Sequence, residues 1–180
     1  SNDVTQTDRT AQPKIYDGTT GVVTENGKPI IEANARAFTT SISSVSQPFS
    51  VSSVLTRTNV FARVLGNNNT MHWAGNTNFL WLNSNVSAGI TTANNTQLGF
   101  FGVGNGASSS GKLYDSTAQP TPVSISSTLT LDLSVFAARY DSTSSNNRIN
   151  IQEFVLWPAD QTSNRTDIVD NINTFYDIYS

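Results

Sequence analysis

The pattern of apolar and polar positions predicts short β-strands along most of the chain. Apolar residues alternate with Ser, Thr and Asp from Leu129 to Val135 and again from Phe49 to Leu55, and a period of two is typical of a strand with one buried face. Further short apolar segments lie at residues 60–65, 71–73, 79–82 and 98–103, separated by Gly, Asn and Thr. We expect residues 60–65 to pair with the 49–55 strand, within a meander or Greek key of antiparallel strands.

The clearest local turn lies at Asn26-Gly27, between the apolar or β-branched segments 22–25 and 28–31. Both residues tolerate the positive φ angles of a two-residue hairpin loop. The sequence therefore predicts a β-hairpin here.

The C-terminal 31 residues (150–180) predict a strand followed by a helix. Phe154 and Leu156 alternate with Val155 and Trp157 before Pro158, so both faces of this strand must be covered. An opposing sheet can cover one face, and a helix from about residue 162 to 179 can cover the other. That helix would bury one apolar stripe, formed by Ile168, Ile172, Phe175, Tyr176 and Tyr179.

Composition agrees with an all-β fold. The chain has 180 residues, of which 37% are hydrophobic and 13% charged, and Ser, Thr, Asn and Gly make up the difference. This mixture suits strands joined by polar turns, and the length suits one domain. We expect an all-β sandwich of two antiparallel sheets with one C-terminal helix.

Charge and cysteine usage exclude several classes of function. The formal net charge is −3 and no cluster of Lys or Arg is present, so nucleic acid is not an expected partner. No apolar run reaches the length needed for membrane insertion. The chain has no cysteine, which removes disulfides, thiolate chemistry and cysteine-bound zinc.

Four segments resemble one known family. They are QPKI at 12–15, ENGKP at 25–29, IQEFVLWP at 151–158 and NINTFY at 171–176. The chain resembles the laminin-G-like, concanavalin A-like jelly-roll domains of phage structural proteins and secreted bacterial proteins, over nearly all of residues 1–180. The resemblance implies a two-sheet jelly roll, carbohydrate or cell-surface recognition, and a place on the virion surface or outside the cell.

The resemblance also implies a further segment upstream, whose tail would correspond to residues 1–6. In its absence we expect an exposed sheet edge or apolar strip near residues 12–15 and 22–31. Natural proteins rarely leave a sheet edge bare, so we expect another subunit, of the same protein or of a virion, to cover it.

The candidates for catalysis or metal binding are few. A glycosidase needs two carboxyl groups about 5–10 Å apart. The sequence predicts solvated or structural roles for the available carboxylates, which are Glu25, Glu32, Asp115, Asp132, Asp141 and Glu153. Glu153 lies between Ile151 and Val155 on its strand, and we expect it to be partly buried and paired with Arg139. A calcium ion is a weaker possibility at Asp141, Asn146 and Asn147, and no other cofactor is expected.

Aromatic and amide residues in the middle of the chain form the candidate ligand site. Sugars bind an aromatic face flanked by amide and carboxylate groups. The candidate residues are Trp73, Asn76, Asn78, Trp81, Tyr114 and Asp115. Core burial is the competing interpretation for each tryptophan, and the sequence slightly favours it.

The sequence therefore predicts a non-enzymatic recognition module for a glycan or another cell-surface ligand. A structural virion component, such as a capsid decoration or fibre domain, is the first alternative. A fragment of a glycoside hydrolase is the second. An exposed aromatic ring lined by Asn or Asp would favour recognition, and a flat apolar patch would favour the structural role.

Overall fold

A computed structural model describes residues 4–5, 12, 14–34, 38–40, 44–58, 62–65, 70–74, 78–87, 93–116, 119–133, 135–136 and 148–179. These residues are mostly in antiparallel strands, with one C-terminal helix. The strands are β1 (Val4–Thr5), β2 (Thr24–Glu25), β3 (Lys28–Pro29), β4 (Ile31–Asn34), β5 (Phe38–Thr40), β6 (Ser44–Val45), β7 (Phe49–Arg57), β8 (Ala62–Leu65), β9 (Met71–Ala74), β10 (Asn78–Trp81), β11 (Ser84–Asn85), β12 (Gln97–Gly104), β13 (Ser109–Tyr114), β14 (Val123–Ile125), β15 (Leu131–Asp132), β16 (Val135–Phe136) and β17 (Arg148–Trp157), and the helix is α1 (Arg165–Tyr176).

Two large sheets contain most of these strands. One has seven strands in the order β1-β5-β16-β8-β9-β10-β11, and the other has six in the order β14-β13-β12-β7-β17-β4. Every pairing in both sheets is antiparallel. The two-stranded pairs β15-β6 and β2-β3 complete the described strands.

The centre of the six-stranded sheet is buried on both faces. Every residue of β7 is buried, although Ser and Thr occupy four of its positions. β12 lies beside it and carries three glycines, which leave room for large rings from neighbouring elements. We call the face that carries Val51 and Phe100 the inner face, and the face that carries Val54 and Phe101 the outer face.

The inner face packs against the seven-stranded sheet through aromatic rings. The Trp81 ring lies 6.0 Å from Phe49 and 5.1 Å from Phe100, centroid to centroid. A Cβ atom at Gly102 would lie 2.6 Å from the Trp81 ring, so only glycine fits beneath this indole. The Trp81 indole N–H donates to the Val103 carbonyl oxygen at 3.3 Å, which satisfies its polar atom inside the core.

The outer face is covered by α1 and the chain that follows it. Val169, Ile172 and Tyr176 are the buried residues of the helix, and the Tyr176 hydroxyl donates to the Gln152 carbonyl oxygen of β17 at 3.1 Å. The prediction that strand 151–157 is covered on both faces, with the helix on one of them, is confirmed.

The helix differs from its prediction in length and in orientation. A 3₁₀ turn covers Thr162–Asn164, and α1 ends at Tyr176 because Asp177 adopts a left-handed conformation with φ 52°. Phe175 is 56% exposed, so its place in the predicted buried stripe is wrong. Val169 takes that place, since the hydrogen bond of Tyr176 to β17 sets the rotation of the helix.

The predicted hairpin is confirmed. β2 and β3 pair with Glu25 opposite Lys28, and the φ angles of Asn26 and Gly27 are 49° and 72°. Positive φ at both loop residues is the geometry that this dipeptide favours.

Two other strand predictions need correction. β8 belongs to the seven-stranded sheet and β7 to the six-stranded one, so the two are not neighbours as predicted. The alternating segment from Leu129 is split into β15 and β16, which pair with different strands. Its alternation is nevertheless real, because Leu131 and Leu133 are buried and Thr130 is exposed.

Candidate functional site

Of the residues predicted to bind a ligand, Trp81, Tyr114 and Asp115 are buried. Trp81 is 0% exposed between the sheets, and Tyr114 is 0% exposed on the outer face of β13, so neither ring offers an open face to a sugar. Asp115 is also buried. Only Asn78, at the start of β10, is exposed. Asn76 and the side chain of Trp73 lie outside the described part of the chain.

Core burial therefore holds for Trp81, as the sequence slightly favoured. Tyr114 is buried because its ring lies over the backbone of Gly99, where a Cβ atom would come within 2.0 Å of the ring. The edge of the Tyr179 ring completes this packing, with centroids 5.6 Å apart. Burial, with the nearby Tyr179 and Glu153, raises the pKa of Tyr114.

Glu153 lies beside Tyr176 of the helix. A register shift in β17 pairs Ile151 with Leu55 but Glu153 with Val54, so Ile151 and Glu153 face opposite sides of the sheet. The predicted common face for these two residues is wrong, whereas the predicted partial burial of Glu153 is confirmed. Burial, together with the charge and hydrogen bonding of Glu153, raises the pKa of Tyr176 to about 12. Arg139, the predicted partner, lies outside the described residues.

A network of amide side chains fixes the β2–β3 hairpin on the six-stranded sheet. The Asn150 amide donates to a Glu25 carboxylate oxygen at 2.8 Å, and the Gln152 amide donates to the Glu25 carbonyl oxygen at 3.0 Å. On the other side, the Asn26 amide donates to the Gln97 side-chain oxygen at 3.1 Å. Lys28 lies over the Phe175 ring at 3.8 Å, so the hairpin is also attached to α1.

A cleft opens between this hairpin and the edge of the sheet, and we call it the hairpin cleft. Its volume is about 380 Å³. The cleft is lined by Val23, Thr24, Ile30, Glu32, Thr58, Ile149 and Asn150. Glu32 and Asn150 are directly opposite each other on β4 and β17, so their side chains project from the same face of the sheet.

The lining combines polar groups with an apolar base. Ile30 is 5% exposed and supplies an apolar side chain. Ile149 pairs with Ala33, next to the Glu32–Asn150 pair, so its side chain projects from the opposite face of the sheet. Glu32 supplies carboxylate oxygens, Thr24 and Thr58 supply hydroxyls, and Asn150 retains its side-chain oxygen after donating to Glu25. Such a surface can exchange hydrogen bonds with a polyhydroxylated ligand and also contact its C–H groups.

Exposed apolar side chains lie next to this hairpin. Ile15, Tyr16 and Val22 are 61%, 59% and 57% exposed, and Tyr16 pairs with Val22 in an isolated bridge. We call these three residues the exposed strip. The turn between them is held by Asp17, whose carboxylate accepts hydrogen bonds from the backbone N–H groups of Thr19 and Thr20 at 2.8 and 2.7 Å. The expected apolar strip near residues 12–15 and 22–31 is therefore present.

A second cleft lies at the opposite edge of the same sheet, where α1 begins. Its volume is about 420 Å³. It is lined by Ala107, Ser108, Ser109, Ser110, Pro122, Ser124, Thr162 and Arg165. Five of these eight residues carry a hydroxyl group, and Arg165 is the charged one. We call it the Arg165 cleft.

The structure gives no test of the calcium prediction. Asp141, Asn146 and Asn147 lie outside the described residues, and no group of three or more His, Cys, Asp or Glu side chains suited to a metal occurs within them. Among the same residues, no helix is both long enough and apolar enough to cross a bilayer.

Sequence reasoning missed most of both clefts. Glu32 was considered only as a solvated carboxylate, and Asn150, Thr58 and Arg165 were not considered. The polar groups of each cleft come together only through the pairing of strands that are distant in the sequence.

Neither a scan of protein-family models nor a search of curated proteins finds a match to the chain.

Proposed function

We propose that this chain is a non-catalytic recognition module, built as a two-sheet jelly-roll sandwich of the laminin-G-like, concanavalin A-like type. Its ligand is a glycan or another polyhydroxylated group of a cell surface, and it acts on a virion surface or outside the cell. The hairpin cleft is the observation that carries the proposal. It replaces the tryptophan-centred site that the sequence predicted.

The dimensions of the hairpin cleft suit one or two sugar units. Its volume of about 380 Å³ is within the range of small-molecule pockets in proteins, about 300–1,000 Å³. Glu32 and Asn150 provide acceptors for sugar hydroxyls, and Ile30 provides contacts for the apolar side of the ring. Specificity would come from the polar groups, since an unpaired buried polar atom costs more than a lost contact.

The same lining supports binding without catalysis. Hydrolysis of a glycosidic bond needs two carboxyl groups on opposite sides of that bond. Glu32 is the one carboxylate in the described lining of the cleft. Glu25 lies nearby on the hairpin, but its carboxylate accepts a hydrogen bond from Asn150, and this holds the carboxylate against β17.

We expect Glu32→Gln to weaken binding of a glycan by about tenfold or more. A hydrogen bond to a charged group contributes about 1.5–3 kcal/mol, and each 1.4 kcal/mol is about tenfold in Kd. The measurement is a glycan array with the wild-type chain, followed by titration calorimetry of the strongest sugar. Thr58→Val, which removes a hydroxyl group with little change of shape, should also weaken binding.

Asp167→Asn is the matched control. It removes the same charge from an exposed position in the first turn of α1, and it should leave the Kd of the sugar unchanged. Thermal unfolding of all three variants checks that the fold is intact. Equal affinity of wild type, Glu32→Gln and Thr58→Val for the sugar would exclude the hairpin cleft as its site.

A structural virion component remains the second candidate, and the exposed strip favours it. Clustered exposed apolar side chains mark contact sites between proteins. In this alternative the chain is a capsid decoration or fibre domain, and the strip packs against another copy of the chain or a virion subunit.

This alternative predicts self-association of the isolated chain. Sedimentation velocity over a wide concentration range should show dimers or larger species, and Tyr16→Ser combined with Val22→Ser should dissociate them. Phe175→Ser is the control, because Phe175 is similarly exposed at 56% but belongs to α1. A wild-type chain that stays monomeric, or association that the double variant leaves intact, would contradict packing of copies through the strip.

A further inference from the structure

The Arg165 cleft has a distinctive charge pattern for a chain with a net charge of −3. Its described lining contains one cation, Arg165, and no carboxylate. Ser110 and Ser124 are directly paired across β13 and β14, so their hydroxyl groups project from the same face of the sheet. Thr162 and Arg165 approach this face from the start of α1.

Arg165 is the charged residue in the described lining of the cleft. Within the described part of the chain its guanidinium forms no hydrogen bond or ion pair, and its backbone N–H donates to the Thr162 carbonyl oxygen. A guanidinium group carries five donors in a planar fork that matches a carboxylate, sulfate or phosphate group. Because Arg165 is half-buried, its side chain is already positioned at the cleft.

A second cation strengthens the positive potential of this region. Lys112 lies two residues from Ser110 on β13 and projects from the same face. Burial and the proximity of Arg165 lower the pKa of Lys112, as expected for two cations held close together. An anion bound between them would relieve this repulsion.

The nearby carboxylates do not fill this role. Asp160 accepts hydrogen bonds from the Thr162 backbone N–H at 2.8 Å, from the Thr162 hydroxyl and from the Asn105 amide at 2.7 Å, so both of its oxygens are engaged. Asp170 lies close enough to Lys112 to raise its pKa, but its carboxylate accepts a hydrogen bond from the Tyr179 hydroxyl at 3.2 Å.

We propose that the Arg165 cleft is a binding site for a tetrahedral oxyanion, as a sulfate or phosphate monoester. Arg165 forms the paired hydrogen bonds, the hydroxyl groups of Ser108, Ser110 and Ser124 supply further donors, and Lys112 adds charge. The cleft volume of about 420 Å³ exceeds that of an inorganic ion, so the anion is carried on a larger group such as a sulfated or phosphorylated sugar. This site is separate from the hairpin cleft and does not depend on it.

The test is a titration of the whole chain with a sugar sulfate at constant ionic strength. Binding is monitored through the amide chemical shifts of the protein. Galactose 6-sulfate is the probe, and galactose and inorganic sulfate are the comparison ligands. We expect saturable shifts around Ser110, Ser124 and Arg165 with the sugar sulfate. Inorganic sulfate should bind the same residues more weakly, and galactose should leave them unchanged.

Arg165→Gln should weaken binding of the sugar sulfate by about tenfold or more. Arg165→Lys should retain part of the affinity, since lysine keeps the positive charge but lacks the planar guanidinium group. Ser110→Ala is a second variant that leaves the cation in place and should also weaken binding. Lys14→Gln is the matched control, because it removes one positive charge from an exposed residue at the opposite edge of the sheet, where Lys14 bridges to β4.

Three results would overturn the proposal. The first is an equal loss of affinity in Arg165→Gln and Lys14→Gln, which would assign binding to the overall charge. The second is no saturable shift with either sulfate ligand. The third is an equally strong response to galactose, which would assign the site to a neutral sugar. None of these results changes the expectation for Glu32→Gln at the hairpin cleft.

Discussion

Trp81→Ala is expected to lower the free energy of unfolding by about 3–5 kcal/mol, the range for loss of a large aromatic side chain from a core. The indole is fully buried between the two sheets and contacts the rings of Phe49 and Phe100. Neighbouring positions cannot fill the space easily, because Gly102 and Gly111 contribute no side chain beneath the ring. Urea unfolding followed by circular dichroism measures the change.

Tyr16→Ala is the control for Trp81→Ala. Tyr16 is also aromatic but is 59% exposed, and exposed substitutions usually change stability by less than about 0.5 kcal/mol. Equal stability of Trp81→Ala and wild type would show that the indole is not in the core. Trp81 would then return to the list of ligand-binding residues.

Ile172→Ala is expected to cost about 2–4 kcal/mol, as for other buried isoleucines. Helix propensity in α1 is poor, since Asn, Asp and Thr occupy half of its twelve positions. Packing of Val169, Ile172 and Tyr176 on the outer face must therefore supply most of the stability of the helix. Thermal or urea unfolding of the variant gives the value.

Phe175→Ala tests the orientation of the same helix. Phe175 is larger than Ile172 but exposed, and its main contacts are Lys28 at 3.8 Å and the Tyr176 ring at 4.8 Å between centroids. A cation over an exposed ring contributes about 0.5–1 kcal/mol, so we expect a smaller loss than for Ile172→Ala. A larger loss would mean that the helix is rotated toward the stripe that the sequence predicted.

Features set by neighbouring residues could be predicted from the sequence. The Asn26-Gly27 hairpin needs only the φ preferences of two residues, and the double coverage of strand 151–157 follows from Phe154, Val155, Leu156 and Trp157 being apolar. Both were confirmed. The start of the helix was also close, since the 3₁₀ turn begins at Thr162.

Features set by distant residues could not be predicted. Adjacent strands usually pair, but β7 and β8 separate into two sheets, and no local pattern distinguishes these outcomes. The register shift in β17 changes the face of Glu153 relative to Ile151, and nothing in the alternation of that segment indicates it. The burial of Val169 in place of Phe175 depends on how α1 packs on β17, a contact that includes the hydrogen bond from Tyr176 to Gln152.

The burial of Trp81 and Tyr114 has a related cause. Trp81 and Tyr114 have the composition of a sugar site, but the glycines of β12 create space for both rings inside the fold. Gly102 receives Trp81 on the inner face, and Gly99 receives Tyr114 on the outer face. The polar groups of the hairpin cleft come from the hairpin, β4, the end of β7 and β17. Glu32 and Asn150, which pair directly, are more than one hundred residues apart in the chain.

The most direct test of the proposed function is to locate the bound sugar on the chain. The strongest ligand from a glycan array is titrated into isotopically labelled protein, and amide chemical shifts are followed residue by residue. Recognition through the hairpin cleft predicts saturable shifts at Thr24, Glu32, Thr58 and Asn150, which Glu32→Gln reduces. Saturable shifts confined to residues outside this cleft, or no binding to any glycan, would contradict it.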